Sequence, residues 1–163
     1  MNSNRQIPGN ESQSGEPLQL VGFRVGDEDF GIDILRVHEI IRVQQLTRVP
    51  HSPQPVDGVM NLRGRIIPVI ALRKRFGLDP APLGAETRIM VAEIRGSVIG
   101  FIVDSVSEVL RIPAESMQAP PRLTQVEKPY VSGVGKLNDR LVLVLDADRL
   151  IDEDEPRAAA ASA

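Results

Sequence analysis

From Leu18 to Asp146 the chain alternates short apolar runs with turn residues at close intervals. The runs are LQLVGFRV (18–25), DFGIDI (29–34), VHEIIRV (37–43), GRIIPVI (64–70), RIMVAEI (88–94), SVIGFIVD (97–104), EVLRI (108–112) and DRLVLVLD (139–146). Most are bounded by Gly, Pro, Asp or Asn, and Val and Ile in short runs favour strands. Only two segments carry a helical signal. ALRKRFGL (71–78) ends with a glycine suited to a C′ position, and DADRLIDE (146–153) starts from Asp146, a residue suited to N-capping. Residues 1–17, polar and rich in Ser, Asn, Gln and Gly, and residues 153–163, which end in PRAAAASA, read as disordered tails. Many short strands with close turns predict an all-β fold of barrels or a sandwich.

The pattern repeats. FGIDILRVHEIIRV (30–43) aligns without a gap to IGFIVDSVSEVLRI (99–112), pairing Gly31 with Gly100, Val37 with Val106, Glu39 with Glu108 and Arg42 with Arg111. GVMNLRGRIIPVI (58–70) aligns to GVGKLNDRLVLVL (133–145), where Gly58/Gly133, Val59/Val134, Leu62/Leu137, Arg65/Arg140 and Val69/Val144 are identical. Two blocks in the same order point to duplication, with the extra residues of the second unit in its loop 113–130. Two units of about five strands each fit two small β-barrels, because closing a barrel removes exposed edges. Pro68 lacks a backbone donor, which places its strand at an edge or a bulge there. Ile66, Ile67, Val69 and Ile70 leave that strand little room for a wet face.

Between the runs GVMNL and RIIPV sit Arg63 and Gly64. In the sister unit the same place holds Asn138 and Asp139, ordinary turn residues, so the stretch is a hairpin tip. Gly64 supplies the positive φ of such a turn. Arg63 departs from the turn's chemistry, and departures of that kind mark functional sites as often as solvated surface arginines. Arginine also suits interface anchoring, through its five donors and planar head. Glu39 recurs as Glu108, which reads as a shared structural role, such as a pair with Arg42 or Arg111.

Composition narrows the function. There is no cysteine, so disulfides, thiolate metal sites and cysteine nucleophiles are excluded. The 2 histidines, His38 and His51, have no ligand-like spacing. His38 aligns with Ser107 and reads as a surface strand residue, and His51 sits in the proline-rich loop VPHSPQP. No phosphate-cradling glycine motif is present. Asp104 and Asp146 are accounted for by strand-end and helix-cap roles. No enzyme signature, catalytic residue, metal site or cofactor is therefore expected. A net charge of −3 indicates no bulk polyanion partner, although basic residues crowd the first half and acids the end. Small β-barrels often bind nucleic acid, and the basic first half keeps that alternative open. The half lacks the Tyr and Trp used in stacking; Phe30 reads as core and Phe76 as part of the short helix. No apolar run approaches the ~20 residues that span a bilayer, and the first residues carry no secretory signal, so the expectation is a cytoplasmic chain.

Four stretches, FGIDILRVHEII, TRVPHSPQPVDGVMNLRGRIIPVIALRKRFG, GFIVDSVSEVLRI and YVSGVGKLNDRLVLVLDADRLI, resemble the CheW family of chemotaxis coupling proteins. The resemblance covers about residues 18–152, and the VPxxPxxVxGVxNLRGxIIPV run makes it specific. It implies two SH3-like five-stranded β-barrels joined around a shared hydrophobic core, with short helices. Their expected extents are about residues 24–84, and 18–23 plus 85–152. It implies no catalysis. The partners would be a CheA-type histidine kinase, through its regulatory domain, and the cytoplasmic tip of methyl-accepting chemoreceptors. The protein would be a monomer in isolation, recruited to membrane receptor arrays. The receptor-facing positions carried over are Val37, Glu39, Gly58, Asn61, Arg63, Thr87 and Ile89, and the kinase-facing ones Ile34, Leu35 and Val37. Arg88 stands where an apolar residue is expected. A non-flagellar pathway, such as type IV pilus motility or surface sensing, is the alternative within the family.

Overall fold

The structure, a computed structural model, describes residues 16–48 and 56–151. Most of both expected tails, and His51 with its loop, lie outside these residues. Eleven strands follow in order among them: β1 Leu18–Val25, β2 Glu28–Asp33, β3 Val37–Arg42, β4 Val56–Leu62, β5 Arg65–Ala71, β6 Arg88–Ile94, β7 Ser97–Val103, β8 Ser105–Ile112, β9 Met117–Gln118, β10 Val131–Leu137 and β11 Arg140–Leu145. Helix α1, Leu72–Arg75, ends at Phe76 and is followed by Gly77 at φ 76°. The expected helix after Asp146 is one 3-10 turn, Ala147–Arg149, in which the Asp148 N–H donates to Asp146 Oδ1. A second helix, α2 (Arg122–Glu127), lies in the loop where the second unit has its extra residues. It follows a Pro-Pro pair, and proline before a first turn is a start signal that the sequence reading passed over.

The strands form two sheets. Barrel A has the order β8-β1-β2-β11-β10-β9, and barrel B the order β3-β6-β7-β5-β4. Each closes through the chain that continues a terminal strand. Past β3, Thr47 exchanges two 2.8 Å backbone hydrogen bonds with Val59 of β4. Past β8, the two-residue β9 pairs with β10. The duplication is visible strand for strand, β1 to β5 matching β6, β7, β8, β10 and β11, but the sheets do not follow it. Barrel A joins β1 and β2 of the first repeat to β8, β10 and β11 of the second, and barrel B makes the reciprocal exchange. The ladders thus set β2 in barrel A and β6–β7 in barrel B, across the expected division near residues 24 and 85. The hairpins β1–β2 and β6–β7 form locally, whereas the parallel pairs β2–β11 and β5–β7 require long crossovers. Sequence order alone therefore cannot say which barrel a hairpin enters.

Each barrel has its own apolar filling. Leu20, Leu110, Ile112, Val142 and Val144 fill barrel A, and Met60, Ile67, Val69, Ile89, Val91 and Val98 fill barrel B. The largest cluster lies between them and draws on both exchanged hairpins, from Phe23 and Ile32 to Ile99 and Phe101. Four of the five aromatic residues stack in series through it, Phe23–Phe30–Phe76–Tyr130, at centroid separations of 5.7, 4.9 and 4.8 Å. Such a shared core holds the two barrels as one unit.

Two local expectations change. β5 is an interior strand, not an edge; Pro68 is tolerated because the ladder to β7 begins one residue later, at Val69. Ile66 is not enclosed. It lies opposite Asn61 next to the turn of the hairpin, 46% exposed.

Candidate functional site

The β4–β5 hairpin turns on Arg63 and Gly64, with φ of 54° and 86°. Left-handed angles at both central residues define the turn type that fits the strand twist. Asn138 holds the same conformation in the sister hairpin, φ 57°, where a short polar side chain tolerates it. Arg95 holds the same conformation before Gly96 in the β6–β7 turn, φ 52°, so it is the contacts of the Arg63 side chain that set this tip apart. The turn is braced from behind. Asn61 Oδ1 accepts the Gly64 N–H at 2.8 Å, and Gln44 Nε2 donates to the Asn61 carbonyl at 3.1 Å.

From this turn the Arg63 guanidinium reaches across to β3 and grips Glu39 with two parallel bonds. Nη2 donates to Oε1 at 2.6 Å and Nη1 donates to Oε2. The Arg63 hydrogen bond holds the Glu39 carboxyl below its ordinary range, and Glu39 raises the guanidinium in return. Planar fork-to-fork pairing of this kind fixes orientation as well as charge. The arginine side chain remains 69% exposed, against 27% for the glutamate. Glu39 therefore pairs with Arg63 and not with the neighbouring Arg42, because the hairpin tip brings Arg63 over the β3 surface. Glu108, its repeat partner, is exposed and has no equivalent arginine, since the sister tip carries Asn138.

The first predicted contact set divides. Glu39, Asn61 and Arg63 come together at this tip, with Ile66 exposed beside them. Gly58 is buried, and a Cβ there would lie 2.6 Å from the Thr47 carbonyl, so it serves barrel closure. Thr87 is nearly buried and accepts the Gly84 N–H at 2.8 Å. Ile89 is fully enclosed between Ile41 and Ile102 in barrel B. It belongs to the filling of barrel B, on a strand buried on both faces from Ile89 to Ala92.

The second set sits elsewhere. Ile34 and Leu35 form the 3-10 turn that carries the chain from barrel A to barrel B. Ile34 and Val37 are half-buried against the shared core, while Leu35 is 84% exposed. The turn is fastened on both sides. Asp33 Oδ1 accepts the Leu35 N–H at 2.9 Å, and Arg36 makes a double bond pair with Asp148, Nη1–Oδ1 2.8 Å and Nη2–Oδ2 3.0 Å. Asp148 also accepts the Arg95 N–H at 3.2 Å. Beside the turn, Pro17, Leu18, Leu20, Val144 and Leu145 line an apolar hollow of ≈ 430 Å³.

The repeat explains why Leu35 is free. Its partner is Asp104, which in the second unit turns inward and binds the Gly26 N–H at 2.8 Å and Arg73 through two bonds of 3.0 and 2.8 Å. In the first unit this clamp is built with reversed polarity. Arg36, next to Leu35, supplies the cation and Asp148, the repeat partner of Arg73, supplies the anion. Moving the clamp by one residue and reversing it leaves Leu35 without an internal task. The sequence reading did not single out Arg36 or Asp148; the second repeat offset, added to 73, leads to Asp148, but no offset leads to Arg36.

Among the described residues no group of three or more His, Asp or Glu could hold a metal ion, and no helix is long and apolar enough to cross a membrane. The exposed features at the two predicted sets are thus the Arg63–Glu39 fork with Ile66 beside it, and Leu35 on its fastened turn. Such groups can bind a protein surface.

Comparison with known proteins bears on what that surface is. The profile of the CheW-like domain matches residues 19–155. The chain is 36% identical to the chemotaxis protein CheW of Helicobacter pylori over 144 residues, 88% of this chain and 87% of that one. It is 30% identical over 151 residues to the protein FrzA of Myxococcus xanthus, 91% of this chain and 94% of that one. A crystal structure of the scaffolding protein TtCheW from Thermoanaerobacter tengcongensis superposes with a TM-score of 0.79 at 35% identity, covering 86% of this chain and 97% of that one.

Proposed function

This chain belongs to the CheW family, and we propose that it is a non-catalytic adaptor coupling transmembrane chemoreceptors to a CheA-type histidine kinase. The observation that carries this reading is the separation of two anchor points on one rigid body: the Arg63–Glu39 fork at the tip of barrel B, and Leu35 on the fastened turn between the barrels. An adaptor needs two faces that can be occupied at once and a core stiff enough to relate them. Avidity and geometry then do what catalysis would do elsewhere.

On this reading the receptor's helical tip lies against Glu39, Asn61 and Arg63, where a rigid guanidinium provides a directional anchor. The kinase regulatory domain takes Leu35 and the adjoining hollow, with Ile34 and Val37 supporting from beneath. Leu35 suits this because an exposed leucine held on a pinned turn loses little conformational freedom on binding. The place of action is the cytoplasmic side of a receptor array.

Calorimetric titration with the regulatory domain of a CheA-type kinase from the same organism tests the proposal. Micromolar or tighter binding that Leu35→Asp abolishes supports both the role and the face. No binding to any such domain removes the coupling function and leaves the fold assignment intact.

A further inference from the structure

Barrel A is closed by its shortest strand. β9 has two residues, below the usual strand length, and meets β10 at the pairs Met117–Gly135 and Gln118–Val134. A side chain reinforces this short ladder. Met117 lies along β10 over two glycines. A Cβ on Gly133 would stand 2.7 Å from Met117 Cε, and one on Gly135 would stand 3.1 Å from Met117 Sδ. Ile112 Cδ1 walls the slot, 2.8 Å from the same Gly135 position. The methionine packs from there against the apolar filling of the barrel. We infer that the Met117 thioether is an oxidation site for peroxide, and that its sulfoxide unlatches β9 from β10.

The chain has 4 methionines. Met60 and Met90 are 2% and 0% exposed, and Met1 lies outside the described residues. Met117 is the half-buried one of the three described, at the edge of its sheet, so a dissolved oxidant meets it first. Packing does not call for the sulfur. Barrel B makes the corresponding closure with Leu46 and Thr47. Thr47 pairs with Val59, the repeat partner of Val134, and Leu46 Cβ lies 3.5 Å from a Cβ built on Gly58, the repeat partner of Gly133. A leucine therefore does in barrel B what the methionine does in barrel A, with nothing to oxidise.

The chemistry is a two-electron oxygen transfer. A sulfur lone pair attacks one oxygen of hydrogen peroxide, the S–O bond forms and the O–O bond breaks. The proton of the transferred oxygen passes to the departing hydroxide, which leaves as water. Sulfur is oxidised and peroxide reduced. The product is a polar, chiral side chain in place of an apolar one. Its oxygen needs a hydrogen-bond donor, and Ile112 and the bare glycine faces offer none, so keeping it in the slot is costly. Turning the oxygen to water lifts Met117 off the glycines. That breaks the two-residue ladder and bares the edge of β10.

The test treats the full chain with hydrogen peroxide and follows it by peptide mass mapping, amide hydrogen exchange and urea unfolding. Met117 should gain one oxygen well before Met60 or Met90. Exchange of the β9 and β10 amides should then rise several-fold, and the urea midpoint should fall. Methionine sulfoxide reductases for both epimers should restore both readings. Met117→Leu, a swap of similar volume, should keep the untreated midpoint and lose the response to peroxide, although it retains Met1. Oxidation of Met60 or Met90 at an equal rate would overturn the inference. So would a Met117 sulfoxide with unchanged exchange and midpoint, a change that the reductases do not reverse, or a peroxide response that persists in Met117→Leu. The reductase arm uses the natural chain, so it decides the matter even where the leucine variant fails to fold.

Discussion

Arg36 and Asp148, 112 positions apart, close a two-bond ion pair that ties the turn carrying Leu35 to the last 3-10 turn of the chain. Arg73 and Asp104 form its counterpart in the other repeat, with the charges exchanged. One clamp engages the position equivalent to Leu35, the half-buried Asp104, and the other leaves Leu35 in solvent. The function proposed for this turn follows from that asymmetry.

Leu35→Asp should abolish kinase-domain binding while leaving the urea midpoint unchanged, because the side chain is 84% exposed. Ile34→Asp should lower both, since Ile34 packs on the shared core. Parallel calorimetry and denaturation separate the two. A midpoint that falls equally in both variants would contradict a docking role for Leu35.

Arg36→Ala should cost about 1 kcal/mol or less in stability, as both partners are more than a third exposed. It should nevertheless weaken kinase-domain binding severalfold, by loosening the Leu35 turn. Retained affinity in this variant would show that the clamp does not position the leucine.

The second clamp should dominate acid sensitivity. Burial pushes the Asp104 carboxyl up, but the Arg73 and Gly26 hydrogen bonds outweigh it and hold it below the ordinary range. Asp148 is also lowered, chiefly by its Arg36 bond. A depressed folded value means that this stability is fully present above the unfolded carboxylate pKa of about 4 and is lost as pH falls through the folded value. Asp104→Asn should therefore flatten the stability profile below about pH 4 more than Asp148→Asn, the Asp104 pair being the less exposed. Urea midpoints between about pH 2 and 7 measure this directly.

Arg63→Asn should raise the melting temperature slightly and weaken receptor-tip binding about tenfold or more. Asparagine suits the left-handed backbone, as Asn138 does in the sister hairpin, but it cannot hold Glu39 in a fork. A melting temperature that drops would mean that the ion pair outweighs the backbone strain. Unchanged binding would remove Arg63 from the receptor face.

Gly58→Ala should destabilise by about 1–3 kcal/mol through the Thr47 contact that closes barrel B. Its effect on receptor binding should follow stability, so binding recovers at low temperature where the fold is intact. A defect that persists in the folded variant would restore Gly58 as a direct contact.

Much of this was legible in the chain. The period-two apolar runs, the glycine after α1 and the Asp146 cap are local, and local physics acts on neighbours in sequence. The duplication revealed the hairpin pairs, and the mismatch between Arg63 and Asn138 marked the tip that reaches Glu39. The partner of Glu39 was misread, because Arg63 lies 24 residues away across a barrel. Ile66 was misread for the reverse reason: it belongs to an apolar run, but it lies next to the turn, where the hairpin tip leaves it in water.

By itself, then, the sequence determined the elements, their doubling and the family, since each rests on short-range pattern. The tertiary structure alone decided that the repeats exchange their first hairpins, that Arg63 finds Glu39, that Arg36 finds Asp148, and that Met117 lies over two glycines of β10. Those are long-range contacts. Their partners are set by which strands lie side by side once the apolar hairpins have packed into a common core, and no spacing along the chain encodes that.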